Sequence, residues 1–140
     1  MFFQLKYKVM SKYFDSIEFP NMRKFLDCEQ RLISLLLSKC EVEFNQNINL
    51  SDVYVIDLSD GGMGSLEFLH GRENRDFGAA ILDAVAYDID HRKIFIQLSI
   101  DTKGNLYQLD AFTEDYLPLK ASLGTNLTIT DFHSPPIYRL

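Results

Sequence analysis

The residues best placed to do chemistry form one short stretch, Asp60-Gly61-Gly62-Met63-Gly64-Ser65. Three of the chain's seven glycines fall in these six positions, between the apolar runs 53–58 and 66–69. Glycine loses more conformational freedom on folding than any other residue, so such a cluster implies positive φ or a close backbone approach. Amides presented by a turn of this kind can form a nest for phosphate or carboxylate. The spacing is not that of a P-loop, which needs G-x-x-x-x-G-K-[ST], and no lysine follows it. A dinucleotide fingerprint is excluded because the next segment reads as a strand and not a helix. Ser65 lacks the G-x-S-x-G context of a nucleophile elbow. Two readings stay open: a demanding tight turn, or a binding turn formed by Asp60, Gly61, Gly62, Met63, Gly64 and Ser65.

The aspartates come next. Asp57, Asp60, Asp88, Asp90, Asp101 and Asp110 all fall at expected strand ends or turns. Carboxylates converging at one sheet edge could hold Mg²⁺ or Ca²⁺, but aspartate is also a turn former that bonds its own backbone. No EF-hand spacing is present, so no metal ligands are assigned, and Asp110 joins the glycine turn as a candidate binding residue. His70, His91 and His133 are scattered over expected loops without an H-x-x-x-H pattern. Cys28 and Cys40 have no C-x-x-C spacing and read as buried small hydrophobes in a reducing compartment. No catalytic residue and no cofactor is assigned, which weighs against an enzyme.

These residues sit in a chain of 140, a length that suits one domain, 1–140. A chain of that size buries roughly 68–70% of its unfolded surface. With 46% hydrophobic and 24% charged residues, disorder is excluded as a description of the whole. The net charge of −6 argues against nucleic-acid binding, which leaves a basic stripe as its footprint. The nearest feature is Lys6-Tyr7-Lys8 with Lys12. An acidic surface favours a basic protein partner instead. No apolar run approaches the roughly 18–20 residues of a membrane span, and Met1–Lys6 is too polar for a signal peptide. The expected location is cytoplasmic.

The elements that must position the glycine turn can be read in order. Residues 1–22 partly alternate and suggest a loosely docked edge strand, with Phe19-Pro20-Asn21 as connector. A helix is expected at 28–38, with Asp27 as N-cap, Gln30 completing a capping box, and Leu32, Leu35 and Leu36 facing a sheet. Residues 41–52 read as a packed loop. Strands are expected at 53–58, 65–69, 92–100 and 106–112, with a short sixth at 127–130. Residues 77–88 mix alanines with β-branched residues, and their flanking turns favour a strand. The tail from 116 to 140 is expected to wrap the domain. The fold class is therefore α+β: a mainly antiparallel five- to six-stranded meander with one N-terminal helix packed on a face.

Three segments also carry a resemblance. Arg23–Glu29 leading into Leu35-Leu36-Leu37, then Asp60–Leu66, then Asp101–Asp110 with its Tyr107-Gln108-Leu109-Asp110, are similar to a family of small uncharacterised bacterial proteins. Its members resemble this order of a leading helix, a D-G-G-M-G-S-L turn and a late Tyr-x-Leu-Asp strand, over roughly residues 23–115. The family usually has an aromatic-rich strand end after Leu-Asp, often with Trp, where Ala111-Phe112 stands here. The resemblance supports the fold and lends little function. By analogy, small acidic bacterial proteins include immunity proteins of toxin systems. The leading expectation is a non-enzymatic protein-binding module, immunity- or regulator-like. The alternative is a small-ligand or metal-binding protein or hydrolase using the glycine turn and strand-end aspartates. A homodimer or other structural homo-oligomer is the third reading.

Overall fold

The computed structural model describes residues 21–41, 49–69, 75–125 and 127–134. The short strand expected before residue 20, His70, and the packing expected of Val42, Phe44 and Ile48 lie outside the described residues.

The helix, α1, is Asp27–Ser38. Its cap differs from the expected Asp27/Gln30 box. Leu26 is the extended residue ahead of the first turn, and Glu29 reaches back to accept its N–H at 2.8 Å. Leucine has no acceptor to offer in return, so only half of a capping box forms. Glu29, Leu32, Ile33 and Leu36 are buried, the i, i+3, i+4, i+7 spacing of an inward stripe. The expectation for Leu35 is corrected: it is 42% exposed, and Ile33 is fully buried in its place. Glu29 is held by Arg23, and this anchor turns the 29/33/36 side of the helix inward.

Among the described residues seven strands form one sheet: β1 Arg23–Lys24, β2 Tyr54–Asp57, β3 Leu66–Leu69, β4 Phe77–Tyr87, β5 Lys93–Asp101, β6 Leu106–Thr113 and β7 Thr128–His133. Every neighbouring pair is antiparallel. The α+β class and the antiparallel sheet stand, while the count of five to six strands is corrected to seven. The extra strand, β1, has two residues, too few to leave an alternating pattern.

The order β1-β2-β3-β6-β5-β4-β7 also corrects the simple meander. β4, β5 and β6 form one, but β3 pairs with β6 and not with β4. Register gives the reason. Leu66 of β3 sits opposite Leu109, which continues through Leu98 to Leu82 as one apolar row, while the free edge of β4 goes to β7. The alanine-rich run 77–87 is a strand because it is paired on both sides, and tertiary pairing outweighs alanine's helical preference.

The buried row, with Val55 and Phe68 beside it, forms one cluster with Leu32, Ile33 and Leu36 of α1. The Phe25 ring lies 5.7 Å from that of Phe68. Alternation sends Asp83, Val85, Phe95, Gln97, Asp110 and Phe112 to the opposite face, which carries no helix among the described residues.

The turns form where expected. Asp88 accepts the Asp90 and Arg92 N–H groups, and Asp101 accepts those of Lys103 and Asn105. Beyond β6 the chain returns over the start of α1. Leu123 is buried, and Gly124 lies so close to Cys28 that a Cβ would collide with that residue's carbonyl. Cys28 and Cys40 are free and only partly buried, so the reading of them as buried hydrophobes holds in part. Burial pushes the Cys40 thiol up to about 11. No helix among the described residues is long and apolar enough to cross a membrane.

Candidate functional site

The glycine turn joins β2 to β3. Leu58 N–H donates to Ser65 O at 3.0 Å and closes the loop. Gly61, Gly62 and Gly64 all have positive φ, at 78°, 81° and 98°. Inside the loop, Asp60 accepts the Met63 N–H at 3.0 Å on one oxygen and the Ser65 N–H at 2.9 Å on the other. The amide nest suggested by the glycines therefore holds a carboxylate, and that carboxylate is the chain's own Asp60. Burial works against the Asp60 charge, but the hydrogen bonds from Ser65 and Met63 outweigh it and hold its pKa below the ordinary value.

The turn is fixed from behind. Leu119 N–H donates to Gly62 O at 3.0 Å. The positive φ at Gly64 favours glycine, and a Cβ there would also press on the Leu119 and Leu123 side chains, at 2.8 Å from Leu119 Cδ1 and 3.3 Å from Leu123 Cβ. Ser65 is buried, and its hydroxyl accepts the Ala111 N–H at 2.9 Å while donating to Ala111 O at 3.1 Å. This oxygen stitches β3 to β6. Gly61 and Gly62 are left exposed at the tip.

Beside the turn lies a cleft of about 660 Å³, lined by Arg23, Glu29, Asp57, Asp60 and the segment 119–123. Arg23 grips two carboxylates at once. It meets Glu29 at 2.7 and 2.8 Å, and Asp57 at 2.8 and 3.0 Å. Hydrogen bonding to Glu29 and then to Asp57 raises the Arg23 pKa, and the Arg23 hydrogen bond lowers that of Asp57. This clamp was missed in the sequence. Its trace is an acid at the third position of the helix with an arginine just ahead of it.

Asp110 lies on β6, one residue before the Ala111 that Ser65 binds. Burial raises its pKa, and the Asp60 charge adds to the effect. The structure thus brings Asp60 and Asp110 within electrostatic reach of each other. Asp57 shares the cleft with Asp60 but is held by Arg23, and the other aspartates lie elsewhere. Asp88, Asp90 and Asp115 gather around Arg92, and Asp101 pairs with Arg75 at 3.0 Å at the far end of β5. Among the described residues no group of three or more His, Cys, Asp or Glu could hold a metal ion. Of the histidines, His91 occupies the β4–β5 turn, and His133 ends β7 and is not in a loop.

No curated protein and no solved structure matches the chain. A family model described as a domain of unknown function matches residues 22–122, which takes in α1, the glycine turn and all of β2 to β6. The chain belongs to that family, DUF6984.

Proposed function

We propose that this protein is a non-enzymatic binding protein that takes a basic protein partner, in the manner of an immunity or regulatory protein. The observation that carries this reading is the glycine turn itself: a projection held from inside by Asp60, held from behind by Leu119, and exposed at its tip next to Asp57. A rim already fixed in one conformation binds without first losing loop entropy. The net charge of −6 supports a basic partner, since charge complementarity speeds encounter and excludes wrong partners. The alternative of a small anion in the turn is less favoured, because Asp60 already engages two of the turn's amides.

The test is a pull-down with tagged full-length protein from its native cell, beside Ser59→Arg. Ser59 is exposed at the turn, and the new charge opposes a basic partner. A partner retained by the wild type and lost from a folded Ser59→Arg variant is expected. No partner with either protein overturns the reading.

A further inference from the structure

The helix-free face of the sheet holds a groove of about 410 Å³. Its floor runs across β4, β5 and β6 in two rows set by register. One row is Asp83, Gln97 and Asp110, and the next is Val85, Phe95 and Phe112. Asp131 and His133 of β7 complete the rim.

Two features of this groove stand out. The first is an unmatched carboxylate. Burying a charge is costly unless it is paired, and the other buried acids obey that rule. Glu29 has Arg23, Asp88 has Arg92 and Asp101 has Arg75. The partly buried Asp83 accepts a hydrogen bond from Gln97 at 2.9 Å. Asp110 is also partly buried, yet its side chain has no hydrogen bond and no ion pair among the described residues. The second feature is aromatic. Phe95 and Phe112 stack with centroids 4.9 Å apart, and Tyr116 extends the stack from Phe112 at 6.4 Å. Phe112 is 42% exposed and Tyr116 72% exposed. Lys93 lies off these rows, opposite Tyr87, and already sits 5.3 Å over the Phe95 ring. Asp83, Asp110 and Asp131 line the groove with no Lys or Arg among the described residues, so the groove is net acidic.

We infer that this face docks an arginine side chain of the basic partner, with its guanidinium between the Asp110 carboxylate and the Phe95–Phe112 stack. A planar guanidinium satisfies both features together, bonding a carboxylate at its edge and stacking on aromatic rings with its plane. The inference rests on the partner-binding reading and gives it a surface. Asp110 adjoins the Ser65–Ala111 stitch, so one partner can span the groove and the glycine turn.

The test titrates the full chain with a capped Gly-Arg-Gly peptide and follows backbone amide shifts. Shifts centred on Gln97, Asp110 and Phe112 are expected. A neutral citrulline peptide should bind about tenfold more weakly, the scale of one charge-assisted hydrogen bond. Asp110→Asn, checked for a dispersed spectrum, should lose the difference between the two peptides. Equal binding of both peptides to the wild type, or shifts elsewhere, overturns the proposal. Contacts from residues 1–20 to Phe112 in the free protein also overturn it, because the chain then covers its own groove. In the pull-down, a partner lost with Asp110→Asn supports the surface. A partner kept by Asp110→Asn and lost with Ser59→Arg overturns this surface and leaves the partner-binding reading standing.

Discussion

Asp110 and Asp60 are both aspartates near the same turn, and their surroundings drive them in opposite directions. Asp60 is ringed by donors, and its charged form is favoured. Asp110 has burial and a like charge, and its neutral form is favoured. A carboxyl whose folded pKa is raised contributes stability below its unfolded value, near 3.9, and loses it as pH rises through the folded value. Asp110→Asn should therefore raise the thermal midpoint at pH 7 and leave it nearly unchanged at about pH 3. Scanning calorimetry at the two pH values checks this, and a lower midpoint at pH 7 would show that Asp110 has a stabilising partner.

At the scale of elements, α1 holds the sheet with residues that a helical wheel only half reveals. Leu32, Ile33, Leu35, Leu36 and Leu37 are all apolar, so the sequence offers two overlapping stripes. The choice between them depends on the Arg23–Glu29 clamp, which joins the helix to a two-residue strand with no periodicity of its own. Leu36→Ala should cost about 2–5 kcal/mol, as for a fully buried leucine, while Leu35→Ala at an exposed site should stay within about 0.5 kcal/mol. Urea midpoints for the two variants decide it, and comparable losses would mean that both stripes pack.

The same contrast separates what was legible from what was not. The alternation of 92–100 announced β5, and Asp101–Asn105 announced its turn, because both signals are local. Pairing of β3 with β6 was invisible, since it depends on apolar rows matching across 40 residues of chain. The glycine turn was legible as a special backbone. That Asp60 would fill its nest was not, because donor and acceptor directions are set only once the φ values are.

For the whole molecule, charge sets the acid limit. Asp57, Asp60, Asp88 and Asp115 all have lowered pKa values. Hydrogen bonding to Arg23 is the leading cause for Asp57, and the Leu117 N–H for Asp115; for Asp60 and Asp88 hydrogen bonds overcome an opposing burial effect. A carboxylate of this kind contributes stability above its unfolded pKa and loses it as pH falls through the folded value. These four carboxylates make stability fall steeply below about pH 4, against the smaller opposite trend of Asp110. Circular dichroism against pH tests this, and a loss beginning near pH 6 would point to histidines instead.

The strand order has one more consequence. A line drawn between β3 and β6 leaves β1, α1, β2 and β3 on one side and β4 to β7 on the other, each side an unbroken length of chain. Across that line, among the described residues, run the Leu66–Leu109 and Glu67–Gln108 pairs, the Ser65 hydroxyl, the Arg75 guanidinium on Phe68 O, Lys39 over the Phe132 ring, the core, and the strap at 118–124 that clasps the glycine turn. The protein is thus built as two interlocking fragments. Nicked between residues 70 and 74, the halves should remain associated, and separately produced halves should find each other and restore the sheet.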